Sequence, residues 1–392
     1  MSKNTPILTD DKALAYACEE LETHLALQAN GYKCKTADLI ALLVTMASQG
    51  ATVEQACTML PGAPSASTVR RYLNAQITTV KLPMLEEQLN TALQAQLPQR
   101  LWRKPLHIAI DLHEQPYYGR TAQAEGLWVR GQHKAGTRRA YRVATAYVMQ
   151  RELRVTLGVV FMSYTMPILD AVRALLTHIR RLELRVKCLW MDRGFASTAM
   201  LQYLQREQWP AVIACPMRGK PDGHGTKALC TGRRASYVAE HTFESHDHRQ
   251  SITAAVAVCR VYNSTGPRSH RRRKARWQLY IMINIELTPQ QVRTYYRPRF
   301  GIETSYRCAN QVRGWTTSPN PAYRFLLLGL AFYLYNVWIR LVWLYTQVPR
   351  KGGRYLDVSR LRLVRLKRLL LHALESRYGA VTAITALAAP RL

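Results

Sequence analysis

Acidic residues are scarce in this chain. Of its 392 residues only 25 are Asp or Glu, against 55 Lys and Arg, which leaves a net charge of +30 and a pI near 10.2. The shortage is deepest between residues 251 and 350, where Glu286 and Glu303 are the only acids beside fifteen Lys and Arg. Such a surface argues against a basic partner and for a polyanionic one, nucleic acid first, with acidic membranes sharing the same attraction. The first hundred residues are the exception: eight Lys and Arg face nine acids there. The N-terminal stretch is therefore a compositional module of its own, and the electrostatic footprint lies beyond it.

Other absences narrow the class further. The eight cysteines are scattered with no CxxC pair, which excludes a disulfide framework or a zinc ribbon and suits small core residues in a reducing compartment. The N-terminus MSKNTPILTDDKALAYA has no basic stretch followed by an apolar one, so a cytoplasmic protein is expected, not a secreted one. There is no internal repeat and no low-complexity tract. An apolar content of 48% over 392 residues provides for a substantial core and two or three domains. One apolar run, Phe325 to Tyr345, has the length of a membrane span. Asn336 and Arg340 lie inside it and no second span exists, so it reads as a helix buried in a globular core, with no membrane partner.

The hydrophobic period changes near residue 100. Before it, Leu14, Ala17, Leu21 and Leu25 recur at helical spacing, with Asp10 or Asp11 as the expected cap. A helix over 36–49 follows, broken at Gly50. Thr52 then caps VEQACTML, and Ser65 or Ser67 caps STVRRYLNAQ. Two short helices joined by PGAPSA, the second carrying Arg70, Arg71 and Tyr72, resemble a helix-turn-helix, so Arg70 and Arg71 are candidate DNA contacts. After it, PLHIAIDL alternates as a strand ending at Asp111, and HEQPYYGR reads as a loop. Further strands and helices give the order β-β-β-α-β-α-β up to residue 216, with VKCLWMD ending at Asp192. A polar, Gly-rich stretch then opens a β-rich insertion over 217–285, in which Arg271, Arg272, Arg273 and Lys274 form a basic loop suited to tracking phosphates. Thr288 and Pro289 start the helix that bears Glu303. VPRKGGR is a hinge before a last basic helix over 355–378. The expected domains are 1–100 (helical), 101–216 and 286–348 (one α/β core in two parts), 217–285 (the insertion) and 349–392 (a basic helical tail).

Three acids stand out: Asp111 and Asp192, each at a strand end, where open sheets place their chemistry, and Glu303 on a helix. No local motif links them. Three carboxylates converging in a basic protein suit divalent cations acting on phosphodiesters, because Mg²⁺ takes hard oxygen donors and two such ions serve both attacking and leaving oxygens. Each has a plain alternative: a turn residue for the aspartates, and for Glu303 an ion-pair network with Arg299 and Arg307 four residues to either side.

These residues resemble those of the DDE transposases of the bacterial and archaeal insertion-sequence type, the insertion-sequence-four-like superfamily. HIAIDLHEQPYYGR is similar to that family's first-Asp segment and LWMDRGF to its second. The family's third motif, Tyr, two residues, Arg, three residues, Glu, six residues, Lys, falls here on Tyr296, Arg299, Glu303 and Asn310, with asparagine in place of the lysine. The resemblance covers roughly residues 105–345. It implies an RNase H-like α/β core interrupted by the β insertion, with the helical module before it and a helical tail after. It implies Asp111, Asp192 and Glu303 as catalytic ligands of two Mg²⁺ ions, for which Mn²⁺ substitutes. It further implies Tyr296 and Arg299 on phosphates near the cut end, Arg313 standing in for the missing lysine at Asn310, and Trp277 stacking on a flipped base. The partners it implies are the element's terminal DNA and target DNA, bound by a homodimer or larger assembly on paired ends. The alternatives are a Mg²⁺ nuclease on the same core that does not join DNA, and a silent, domesticated DNA-binding protein.

Overall fold

Runs of branched and aromatic residues after residue 105 fold as strands, and the leucine-spaced runs before it fold as helices, as their periods require. The computed structural model describes residues 6–119, 126–134, 136–230, 235–265, 272–351 and 353–384. The N-terminal elements are α1 (Asp10–His24), β1 (Asn30–Gly31), β2 (Cys34–Lys35), α2 (Thr36–Gln49), α3 (Val53–Met59), α4 (Ala66–Gln76) and α5 (Leu82–Ala95). Next come β3 (Leu106–Pro116), β4 (Val129–Lys134), β5 (Thr137–Val148), β6 (Thr156–Met162), α6 (Ile168–Arg181), β7 (Val186–Met191), α7 (Thr198–Arg206) and β8 (Ala211–Cys215). Then follow β9 (Tyr237–Glu244), β10 (Ser251–Thr265), β11 (Arg272–Ile283), α8 (Pro289–Tyr296) and α9 (Gly301–Ala309). The chain closes with α10 (Pro321–Tyr345), β12 (Gln347–Arg350), β13 (Gly353–Leu356) and α11 (Leu363–Tyr378). These elements fall into two units: Met1–Pro98, Pro116–Tyr141 and Ser305–Leu392 make one, and Gln99–Gln115 with Arg142–Thr304 the other.

In the first, helical unit the caps decide the boundaries. Thr9, not Asp10 or Asp11, caps α1, its hydroxyl accepting from Lys12 N at 3.3 Å. The two aspartates occupy the first turn instead, where carboxylates complement the helix dipole. Gly50 ends α2 at φ 66°, a left-handed conformation that glycine adopts without a Cβ clash. The N-terminal helices share their core with α10 and α11. Tyr378 Oη donates to Asp38 at 2.7 Å and Gln96 Nε2 donates to Tyr333 Oη at 3.1 Å. By length and composition α10 is the one described helix that could cross a membrane, yet it is almost wholly buried within the protein. The two polar residues that interrupt its apolar run are satisfied there: Asn336 Nδ2 donates to Leu93 O at 3.3 Å, and Arg340 Nη1 to Ala95 O at 3.1 Å and Gln96 Oε1 at 3.0 Å. The expected hinge VPRKGGR falls on and between the paired strands β12 and β13, except for Gly352, which lies outside the described residues. The last helix starts at Leu363 and not at 355, because Arg362 is extended at ψ 154° after a 3₁₀ turn capped by Asp357.

The second unit is built on a sheet whose path runs β6-β5-β3-β7-β8-β11-β10-β9. Strands β3, β7 and β8 are parallel, and their centres are buried on both faces, as continuous apolar runs such as Leu189-Trp190-Met191 dictate. In order of appearance the five core strands stand 3-2-1-4-5, the RNase H-like arrangement. Within the insertion, β9, β10 and β11 form an antiparallel ladder, and β11 pairs antiparallel with β8 from Leu279↔Cys215 to Ile283↔Ala211. The insertion thus continues the core sheet. Two sequence expectations shift here. The basic run is not all loop, since Arg272, Arg273 and Lys274 pair with Thr265, Ser264 and Asn263 in the β10–β11 ladder; Arg271 lies outside the described residues. The helix carrying Glu303 is broken, because Pro298 removes a backbone donor and its ring obstructs the preceding turn, so α8 passes through a 3₁₀ turn (Arg297–Phe300) into α9. Strand β4, whose VRGQHK lacks apolar alternation, pairs with β5 at Val129↔Ala140 without having been expected.

Candidate active site

Parallel pairing brings the first two acids side by side. The β3–β7 register ends at Ile110↔Met191, so Asp111 and Asp192 are the next residue on each of two neighbouring strands, which lie about 4.8 Å apart. Asp192 follows the end of β7 and turns the chain: its Oδ1 accepts from Gly194 N at 2.8 Å, capping a 3₁₀ turn anchored by buried Phe195. Asp111 does not end its strand, as the sequence suggested. The segment His113–Gln115 stays extended through Pro116, so Asp111 marks where β3 loses its partner β7. The neighbouring acid Glu114 is taken up by Arg142, whose Nε donates to its Oε1 at 3.0 Å.

Burial pushes the Asp111 carboxyl up to about 6. The Arg299 charge pulls against that rise, while Asp192 and then Glu303 add to it. Asp111 therefore feels two acids that lie 81 and 192 residues further along the chain. Asp111 keeps one backbone partner, accepting from Leu112 N at 3.0 Å.

The segment Tyr296–Glu303 closes over this pair from α8 and α9. Buried Tyr296 donates its hydroxyl to Met191 O at 3.3 Å, the carbonyl just before Asp192, and burial raises its pKa. Arg299 is 7% exposed, with Nη1 3.8 Å from Asp111 Oδ1 and the guanidinium 5.4 Å from the centres of the Tyr296 and Phe300 rings. Its Nε and Nη1 have no hydrogen-bond partner. A buried cation in that condition is under-satisfied and suited to receive an anion's oxygens. Glu303 is exposed in the first turn of α9. Among the described residues no ion pair joins it to Arg299 or Arg307; the break at Pro298 and the inward turn of Arg299 undo the spacing to Arg299, while Arg307 keeps its four-residue spacing within α9 without pairing. No three His, Cys, Asp or Glu among the described residues converge tightly enough to form a ready-made metal cage.

The other candidates are dispersed. Trp277, on β11, stands opposite Arg260 and lines a cavity of 660 Å³ together with Tyr296, Arg293 and Phe300. Phe300 was not singled out in the sequence; its signal is the four-residue spacing from Tyr296, whose ring it meets edge-on at 6.2 Å. Asn310 and Arg313 belong to the helical unit. Asn310 is exposed in a 3₁₀ turn after α9, and Arg313 is extended with its guanidinium 5.0 Å from the Trp315 ring, its pKa lowered by burial. In the same unit Arg70, on α4, is ion-paired with Glu54 of α3, while Arg71 lies 5.4 Å from the centre of the Tyr72 ring.

Comparison with known proteins places this arrangement. A family profile described as "Transposase DDE domain" matches residues 102–336, more than half of the chain. No curated protein matches the sequence. Among solved structures, the chain is similar to the piggyBac transposase in a cryo-EM structure of its synaptic complex with hairpin DNA. The TM-score is 0.53 at 13% identity, over 96% of this chain and 80% of that one, a likeness of fold.

Proposed function

The chain belongs to the family of transposase DDE domains, and on that premise we propose that it binds the ends of a DNA element, cuts them by Mg²⁺-dependent hydrolysis and joins the freed 3′-hydroxyls to target DNA. The observation that carries this is the adjacency of Asp111 and Asp192 at the β3–β7 boundary, with Glu303 near enough to raise the Asp111 pKa.

Asp111, Asp192 and Glu303 are the residues to hold the divalent ions. Their donor chemistry fits: all three supply hard carboxylate oxygens, and a buried carboxyl crowded by two further acids gains from a cation. They do not make a closed shell, which agrees with an ion that keeps several waters and shares substrate phosphate oxygens. When bound, two such ions supply Lewis-acid activation of the attacking oxygen and neutralise charge on the leaving one. The protein's own part is positional. Arg299 offers unbonded N–H groups to a phosphate beside Asp111, and Tyr296 ties α8 to the carbonyl preceding Asp192. Trp277 and Tyr296, in the wall of one cavity, provide aromatic faces for an unpaired base at the cut end. Arg71 on α4 contributes to recognition of the element ends, and a paired-end complex calls for at least two copies of the chain.

The test is Glu303→Gln. Mg²⁺-dependent strand cleavage is expected to be abolished with binding to element ends retained; full cleavage by that variant overturns the assignment. A strand-transfer assay on the wild type then separates a transposase from a nuclease, which would release ends without joining them.

A further inference from the structure

A second basic site lies at the opposite end of the same strands. Leu106 and His107, at the start of β3, form the floor of a cavity of 1090 Å³. Lys104, Arg151, Arg154, Lys187 and Arg297 line it, and among the described residues no acid does. Among the described residues none of these five cations takes part in an ion pair. Lys104, Arg151, Lys187 and Arg297 are exposed, whereas Arg154 is half-buried with a buried Nε that has no hydrogen-bond partner. The Arg154 guanidinium lies against Gly301, where a Cβ would meet it at 3.0 Å, so the cavity abuts the first residue of the helix that carries Glu303.

The lining side chains also hold one another in place. His107 Nδ1 accepts from Trp190 Nε1 at 2.9 Å, which leaves the proton on Nε2. Tyr295 stacks on His107 at 5.1 Å, and Lys187 lies 5.5 Å from the Tyr295 ring centre, which fixes that ammonium at the rim. Five cations from four separate chain segments around one open cavity form a distributed charge. That suits a chain of phosphates better than a single small anion, which two or three donors satisfy.

We propose that this cavity is a phosphodiester-binding subsite, separate from the carboxylates, which holds the backbone of the DNA that the chain acts on. The inference rests on the DNA reading above. His107 precedes Asp111 by four residues of strand, about 13 Å at ~3.3 Å per residue. At 3.4 Å per nucleotide along one strand of a duplex, the subsite engages the backbone about four nucleotides from the bond being cut.

Two measurements test it, both on the full chain in EDTA so that cleavage plays no part. The first is the salt dependence of duplex binding for the triple variant Lys104→Gln, Arg151→Gln, Lys187→Gln, beside a control triple variant Arg173→Gln, Arg206→Gln, Arg249→Gln, whose arginines are each already paired with an acid. The log–log slope of the cavity variant is expected to fall by about 2 to 3, at ~0.9 per lost phosphate contact, and that of the control by less than about 1. Equal falls in the two variants, or an unchanged slope in the cavity variant while the wild type binds DNA, overturn this inference and leave the proposed function standing. A wild type that binds no DNA overturns both. The second measurement is amine-reactive labelling of Lys104 and Lys187 read by mass spectrometry. Protection by duplex supports the subsite. Protection by millimolar inorganic phosphate but not by duplex identifies a free-anion site and overturns the DNA assignment.

Discussion

Arg299 and Asp111 face one another across 3.8 Å, with 9% and 18% of their side chains exposed, in an ion pair that leaves Arg299 Nη1 without a hydrogen bond. The pairing joins the 3₁₀ turn after α8 to the point where β3 leaves β7. It makes Arg299 the one charge that lowers the Asp111 pKa against burial and two neighbouring acids. Replacing Arg299 with Gln is expected to move the Asp111 pKa further up, so the pH at half-maximal Mg²⁺-dependent cleavage rises by about one unit. A pH–rate profile checks this, and an unmoved midpoint would show that the two charges are not coupled.

With Asp111 as a ligand, as proposed, metal binding is expected to depend on pH. The carboxyl's folded pKa of about 6 stands above the ordinary 3.8, so the folded state holds the proton more tightly than the unfolded one. Stability from this group is therefore present at low pH and lost as pH rises from about 4 through 6, an effect on the order of 3 kcal/mol before water and relaxation reduce it. A divalent cation offsets that loss only where the carboxyl is ionised. Thermal melts are expected to show Mg²⁺ raising Tm over EDTA at pH 7.5 and barely doing so at pH 5, with the difference reduced in Glu303→Gln. A metal effect equal at both pH values would remove Asp111 from the ligand set.

On α4 the two adjacent arginines are not equivalent. Arg70 already has Glu54 as a counterion, whereas among the described residues Arg71 meets only the Tyr72 ring. Arg71→Ala is expected to weaken binding to element ends several-fold more than Arg70→Ala, and more on element ends than on random DNA. Gel-shift titrations on both DNAs decide it; an equal loss on the two would reduce α3 and α4 to scaffolding.

Far from the acids, His372 of α11 and Asp10 of α1 share a hydrogen bond that raises the histidine's pKa and lowers the aspartate's. The raised histidine contributes stability that is complete below its unfolded value of 6.5 and disappears as pH rises through the folded one. His372→Ala should therefore lower the denaturation midpoint at pH 6 and leave it nearly unchanged at pH 9. Equal losses at the two pH values would mean that the contact acts by packing.

Much of the candidate site was legible because acids are so few: in a stretch with two carboxylates among a hundred residues, Glu303 is conspicuous before any fold is known. The strands carrying Asp111 and Asp192 were legible from apolar runs, which the parallel core requires. What escaped depends on geometry that no local pattern encodes. Arg299 and Glu303 have helical spacing, yet Pro298 sends one inward to Asp111 and leaves the other in the first turn of a new helix. Thr9 outcompeted two aspartates for a cap because the helix began one residue earlier than its charge pattern implied. The cations around His107 come from four segments and converge only when β3, β7 and α8 are in place.

The union of β11 with β8 has a mechanical consequence. A hairpin joined to its base by five paired positions cannot swing as a free flap, because tilting it would strip hydrogen bonds from the ladder. Any pull on the far end of β10 and β11 is instead carried down a stiff arm to β8, and across one more strand to the turn that holds Asp192. Load at the tip and geometry at the carboxylates are in this way mechanically geared to each other.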